Sequence, residues 1–191
     1  MEELIRRVGR YRLDAGNPGG HLGALIRSIV YQQLSGKAAA TIHGRFAALF
    51  AEATFPDAVA ILAKRDEELR ACGLSRQKIA AVRDLCSRVA SGTLPLEAIE
   101  SFTDDAALAH LTQVRGIGRW SAEMFLMFHL GRLDVWPIGD LGIQKGLMRL
   151  YGMRRRPNKA KLEKLGEPFR PYRSVASWYL WRLLDSDAGA W

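Results

Sequence analysis

The segment from Leu111 to Ala122 constrains this chain most, because Gly116 and Gly118 interrupt two apolar stretches within it. A Gly-x-Gly step supplies the positive φ or the close backbone packing that a sharp reversal between helices needs. Apolar residues recur at helical spacing on both sides of it: Leu108, Leu111 and Val114 before it, and Trp120, Ala122, Phe125 and Leu126 after it. The pattern predicts two helices and a tight turn over 108–125.

The backbone amides of residues 116–120 are expected at the start of the second of these helices. Amides there lack partners within the helix and point outward, so they bind anions well. A DNA phosphate suits such a site, with Gly116, Gly118 and Arg119 as the predicted contacts, and it would hold the DNA backbone without reading bases. A lone Gly-Ile-Gly is also an ordinary connection between packed helices, so this motif alone leaves both interpretations open.

A carboxylate, Asp140, follows the turn by about twenty positions and comes directly after Pro137-Ile138-Gly139. It is predicted at or next to the N-terminus of another helix, where the helix field favours an anion. The alternative is an ordinary aspartate that caps this helix. Asp134 is the nearest rival carboxylate, and it is interpreted as a loop or capping residue.

The rest of the chain indicates an all-α fold of about ten helices with short connections. Helical apolar stripes run through 22–30, 42–50 and 79–89, whereas no alternating run is long enough for a strand. The 191 residues, 48% of them hydrophobic, suffice for one globular unit or two packed lobes. No apolar run is long enough for a membrane span.

Charge and cysteine content narrow the class of partner and cofactor. The formal net charge of +8 favours a polyanionic partner. Cys72 and Cys86 are too few for a zinc or iron–sulfur site, which needs about four ligands, and are expected to be buried thiols. The charged N-terminus lacks the apolar centre of a secretory signal, so we expect an intracellular protein, in the cytoplasm and nucleoid or in a nucleus.

The stretch 111–122, together with Trp136-Pro137-Ile138-Gly139-Asp140, resembles the helix-hairpin-helix motif and trailing aspartate of the base-excision DNA glycosylases. In particular it resembles the 3-methyladenine DNA glycosylase II (AlkA-type) branch, in a short form without the N-terminal β domain of larger members. The resemblance runs from about Gly20 to Trp181 and is strong also at 31–40 and 170–181. It implies an all-α, two-lobed fold, with about 21–135 in one lobe and about 1–20 plus 136–191 in the other.

The resemblance also implies roles for individual residues. Asp140 corresponds to the catalytic aspartate, and Gln33 to the side chain that fills the gap left by an extruded base. The base pocket would be lined by Trp120, Trp181 and Met124, the last where some AlkA-type enzymes have a tyrosine. Main-chain carbonyls of the hairpin hold a monovalent cation in such proteins, and the corresponding residues are Thr112, Val114 and Ile117.

Position 120 bears on the reaction type. Bifunctional relatives have a lysine there that forms a Schiff base with the sugar, and an indole cannot form one. The resemblance therefore implies a monomeric, monofunctional hydrolase that releases alkylated purines from duplex DNA in base excision repair, without an iron–sulfur cluster. Two alternatives stay open: a non-enzymatic damage-sensing DNA-binding protein, and a glycosylase for oxidised or mismatched bases.

Overall fold

The computed structural model describes residues 1–12, 19–50 and 55–185 of the chain. These ranges hold eleven α-helices, two short 3-10 helices and no strand, so the all-α prediction is confirmed. The α-helices are α1 Glu2–Val8, α2 Gly20–Tyr31, α3 Gly36–Ala47, α4 Ala58–Ala63, α5 Asp66–Ala71, α6 Arg76–Ala90, α7 Asp104–Leu111, α8 Arg119–Phe128, α9 Leu141–Leu150, α10 Lys159–Gly166 and α11 Arg173–Asp185. The 3-10 helices are Leu96–Ser101 and Glu167–Phe169.

Polar side chains begin most of the longer helices. Each accepts a hydrogen bond from the backbone amide three residues further on, which satisfies one orphan donor of the first turn. These caps are Ser35, Asp57, Ser75, Thr103, Asp140 and Asn158. The predicted stripes coincide with α2, α3 and α6, although α3 ends at Ala47 and leaves the last two apolar positions of its stripe in a turn.

The chain divides into two compact units. One comprises Met1–Ala15 with Leu126–Trp191, and the other comprises Gly16–Phe125. The division falls within α8, whereas the sequence-based boundary near residue 135 lies beyond the end of that helix.

In the first unit, α9 packs along α11, and their apolar side chains form its core. A Cβ added at Gly146 would lie 2.8 Å from the carbonyl oxygen of Leu180, so this glycine permits the close approach of the two helices. Trp136 is buried and donates its indole N–H to the carbonyl of Leu162 at 2.9 Å. This core fixes the N-terminal end of α9, where Asp140 lies.

In the second unit, α6 packs against α2 and α4 and supplies a buried apolar face. Both cysteines are buried and unpaired, as the sequence predicts, and burial raises the pKa of Cys86 to about 12. A protonated thiol of this kind behaves as a small apolar side chain. Over the described ranges, no helix has the length and apolar character that crossing a membrane requires.

Candidate functional site

Asp140 is the N-cap of α9. Its Oδ1 accepts the amide of Ile143 at 2.8 Å, so the capping interaction considered from the sequence does form. The same oxygen accepts the indole N–H of Trp181 at 2.9 Å. Two donors from different helices thus fix the orientation of one half-buried carboxylate.

Trp181, on α11, joins this carboxylate to an aromatic surface. Its ring stacks on that of Phe128, with centroids 5.8 Å apart and an interplanar angle of 24°. Phe128 is 38% exposed, while the Trp181 side chain is partly buried. An electron-rich surface next to a fixed anion is suited to a flat, positively charged group.

Gly142 determines whether the Trp181 indole can reach Asp140. A Cβ added to this glycine would lie 2.6 Å from Cδ1 and 2.8 Å from Nε1 of the indole, and 3.0 Å from Asp140 Oδ1. No side chain fits without moving one of these groups. The hydrogen bond between Asp140 and Trp181 therefore requires a glycine at position 142. The sequence alone does not indicate this requirement.

The loop before Asp140 is held by the buried amide of Gln144. Its Nε2 donates to the carbonyl of Ile138 at 2.6 Å, and its Oε1 accepts the Nε of Arg156. Arg156, in the segment between α9 and α10, thus helps to support the loop that presents Asp140.

Asp134, the rival carboxylate, is occupied by two arginines. Its Oδ1 accepts a hydrogen bond from Arg173 Nε at 2.8 Å, and its Oδ2 accepts one from Arg170 Nη1 at 3.0 Å. Burial would raise the pKa of Asp134, but these hydrogen bonds and charges outweigh it and lower the pKa. An aspartate engaged in this way connects the start of α11 to the loop between α8 and α9, which is a structural role.

The predicted hairpin joins α7 to α8. Gly116 has φ +78°, and a Cβ there would lie 3.2 Å from the Cβ of Ala81 on α6. Gly118, in contrast, has no positive φ, and an added Cβ would meet nothing within 4 Å. The two glycines are therefore not equivalent, because only Gly116 is required by the backbone and packing of this chain.

The predicted row of unpaired amides at the hairpin needs one correction. The amide of Ile117 donates to the carbonyl of Val114 at 3.0 Å, so it closes the turn and is not directed at a ligand. Arg119 extends into solvent but pairs through Nε with the buried Glu123 at 2.8 Å, which orients its guanidinium.

Gln33 lies at the exposed end of the segment that follows α2. Its neighbour Gln32 donates Nε2 to the carbonyl of Gly116 at 2.9 Å, so the predicted wedge is tied directly to the hairpin turn. Leu34, next in the chain, is 40% exposed, and Ser35 then begins α3. The structure therefore brings together two motifs that lie 84 positions apart in sequence.

Trp120 and Met124 lie one turn apart on α8 and so share a face of that helix. Trp120 is 49% exposed, so part of its indole ring is accessible to solvent. Both belong to the Gly16–Phe125 unit, whereas Trp181 and Asp140 belong to the other. Their part in a common pocket remains a prediction.

The carbonyls of Thr112, Val114 and Ile117 remain candidate ligands for a monovalent cation. Carbonyl oxygens are hard donors, which suit such a cation. The Val114 carbonyl already accepts the amide of Ile117, and its second lone pair is the one a cation would use.

Short sequence motifs predict the candidate site residues, but they do not indicate the residues that hold these in place. Asp140, the glycine turn and Gln33 stand in short recognisable strings. Gly142, Gln144 and the α6 side chains that contact the hairpin act on residues distant in sequence, and spacing within one helix does not indicate such contacts.

The chain is similar to known proteins both in sequence and in fold. DNA-3-methyladenine glycosylase 1 of Schizosaccharomyces pombe is 36% identical over 186 residues, which cover 95% of this chain and 80% of that protein. The crystal structure of a DNA-3-methyladenine glycosidase from Bacillus halodurans is 37% identical, with a TM-score of 0.89 over 100% of this chain and 86% of that one. The Schizosaccharomyces pombe 3-methyladenine DNA glycosylase Mag1, solved in complex with abasic DNA, is 36% identical, with a TM-score of 0.78 over 95% of this chain and 89% of its own.

The family model of the HhH-GPD superfamily base excision DNA repair proteins matches residues 26–171, which is most of this sequence. The match includes Gln33, the hairpin and the loop that ends at Asp140. The chain therefore belongs to the HhH-GPD superfamily of base excision DNA repair proteins.

Proposed function

We infer that this protein is a monofunctional DNA glycosylase that hydrolyses the N-glycosidic bond of alkylated purines in duplex DNA. The observation that supports this most is the doubly anchored carboxylate of Asp140 beside the Trp181–Phe128 stack. The names of its relatives, DNA-3-methyladenine glycosylases, point to the same substrate class. The abasic DNA bound by Mag1 is the product that such a hydrolysis leaves.

The chemistry needs few groups because the substrate base is already cationic. An N3- or N7-alkylated purine leaves as a neutral base when its bond to C1′ breaks, and positive charge develops on the sugar. Asp140 stabilises that charge as a fixed anion. A water molecule then adds to C1′ and loses a proton, for which Asp140 is the acceptor. No general acid is needed for the departing base, in contrast to most glycosidases.

Two other parts of the protein, the Gln33 segment and the hairpin, would extrude the base and hold the DNA. Gln33 enters the space that the base leaves, and the hairpin holds a nearby phosphate. Trp120, Met124 and Trp181 remain the predicted contacts of the extruded base, and the cation of the hairpin remains part of the proposal. The expected partner is damaged duplex DNA, bound by a monomer.

A panel of duplexes tests this proposal, each duplex containing one modified base. We expect chromatography to detect free 3-methyladenine and 7-methylguanine. The remaining strand should stay intact until alkali is added, and borohydride should trap no covalent complex, because Trp120 stands where a Schiff-base lysine would be. Strand cleavage without alkali, or a trapped complex, would contradict the monofunctional assignment.

The second candidate is a damage-sensing protein without activity. It is favoured by one observation, namely that Asp140 performs an ordinary capping role. Such a protein would bind every duplex of the panel that contains a damaged base and release none of these bases.

The Gly118→Val variant tests the phosphate contact. Because a Cβ added at Gly118 would have no protein atom within 4 Å, we expect the variant to fold. We expect about tenfold weaker binding to damaged and undamaged duplexes alike, since a phosphate contact is independent of sequence. The measurements are fluorescence anisotropy of labelled duplexes and thermal unfolding. A loss confined to duplexes with a lesion would contradict the phosphate role.

A further inference from the structure

Gln33 has an unusual backbone conformation. Its φ is +57°, and among the described residues it is the one non-glycine residue with positive φ. A residue with a side chain is disfavoured in this left-handed region, and it stays there only where its surroundings hold it. The contacts of the flanking residues should therefore show what fixes the predicted wedge.

Lys78, on α6, supplies the main contacts. Its Nζ donates to the carbonyl of Val30 at 2.7 Å and to the carbonyl of Gln32 at 2.9 Å. These carbonyls lie at the C-terminal end of α2, where backbone acceptors lack helical partners and a cation is favoured. Burial lowers the pKa of Lys78, consistent with an ammonium group that has given up part of its hydration for these two acceptors.

The same helix also contacts the hairpin. Asp84 Oδ2 accepts the amide of Arg115 at 2.8 Å, and the Cβ of Ala81 lies against Gly116. Lys78, Ala81 and Asp84 follow one another at three-residue spacing, so they share one side of α6. The side-chain amide of Gln32 donates to the Gly116 carbonyl, so the predicted wedge segment also contacts the hairpin directly. The helix α6, the wedge segment and the hairpin are therefore each in contact with the other two.

We propose that Lys78 is a positioning residue, which sets the conformation of the Gln32–Gln33 segment and its register with the hairpin turn. The proposal rests on the proposed function, because it concerns the wedge that accompanies base extrusion. In this role Lys78 acts through the backbone carbonyls on either side of Tyr31. The contribution of the wedge is largest when a stacked, paired base must be replaced.

Three variants test the role. Lys78→Met keeps the aliphatic stem and removes the donors, Lys78→Arg restores donors and charge, and Arg76→Met removes one charge from the same helix at an exposed position. The rate of base release is measured for each variant with two duplexes that contain the same lesion. In one duplex the lesion lies opposite its normal partner base, and in the other it lies opposite an abasic analogue. The lesion opposite the abasic analogue is already unpaired, so it needs little help from the wedge.

We expect Lys78→Met to lower the rate of base release from the paired lesion by about tenfold or more, as a misplaced wedge would. The rate from the unpaired lesion should fall by less than about threefold, and Lys78→Arg should regain most of the loss on the paired lesion. Arg76→Met should match the wild type on both duplexes. An equal loss on the two duplexes, or a Lys78→Met variant that behaves like Arg76→Met, would overturn the proposal.

A measurement that does not depend on catalysis tests the role of Lys78 independently of the proposed function. Amide hydrogen exchange of the free protein should become faster in peptides covering 31–39 in Lys78→Met, and it should stay unchanged in peptides of α9. If the wild type released no base from any duplex, the proposed function would fail, whereas the exchange result would still decide the role of Lys78. Unchanged exchange over 31–39 would refute the positioning role.

Discussion

The Asp140→Asn variant is expected to fold normally and to release alkylated bases from duplex DNA about 10²- to 10³-fold more slowly than the wild type. Asparagine has nearly the same shape and is a good N-cap, so the bonds from Ile143 and Trp181 can persist. The negative charge is lost, and with it the stabilisation of the positively charged sugar. The measurement is single-turnover release of 7-methylguanine, followed by chromatography.

Asp57→Asn is a matched control for this variant. Asp57 caps α4 in the same way, with Oδ1 accepting the amide of Ala60 at 2.7 Å. Both variants should show similarly small changes in melting temperature, while only Asp140→Asn loses activity. If Asp140→Asn retained release within about threefold of the wild type, the charge at this position would not be part of the catalysis.

The Gly142→Ala variant is expected to lower base release by about 10- to 100-fold, although residue 142 contributes no functional group. Its Cβ would lie 2.6 Å from the Trp181 ring, so the indole must move and its bond to Asp140 must break. Overpacking of this kind also costs stability, about 1–3 kcal/mol. Release and thermal unfolding are measured together.

Gly139→Ala is the control for this substitution, because Gly139 lies in the loop directly before α9 and its added Cβ would meet nothing within 4 Å. A double-mutant cycle with Trp181→Phe gives a sharper test. If the glycine acts through the indole, Gly142→Ala should cost much less activity in the Trp181→Phe background than in the wild type. Additive losses would show that Gly142 affects the site by another route.

Local sequence patterns predict the all-α class, several individual helices and the candidate site residues. Helical stripes predicted α2, α3 and α6, and the Gly-x-Gly step predicted the reversal between α7 and α8. Asp140 was placed at the start of a helix, and it caps α9. Each of these features depends on interactions within a few residues, which a sequence displays directly.

Features that depend on tertiary contacts were not accessible in this way. The sequence treats Gly116 and Gly118 alike, but the approach of α6 makes only Gly116 necessary. Likewise, nothing near Lys78 in the sequence indicates that its ammonium group binds carbonyls 46 and 48 positions away. The amide of Ile117 was expected to be open to a phosphate, whereas the tightness of the turn directs it to Val114.

According to the proposed mechanism, the Asp140 carboxylate faces positive charge on the sugar during base release. We would test this claim by measuring the affinity for two duplexes that carry abasic mimics, one a protonated pyrrolidine and the other a neutral tetrahydrofuran. The wild type should bind the cationic mimic at least about tenfold more tightly, as expected for a group complementary to the transition state, and Asp140→Asn should lose this preference. An equal preference in both proteins would contradict the claim.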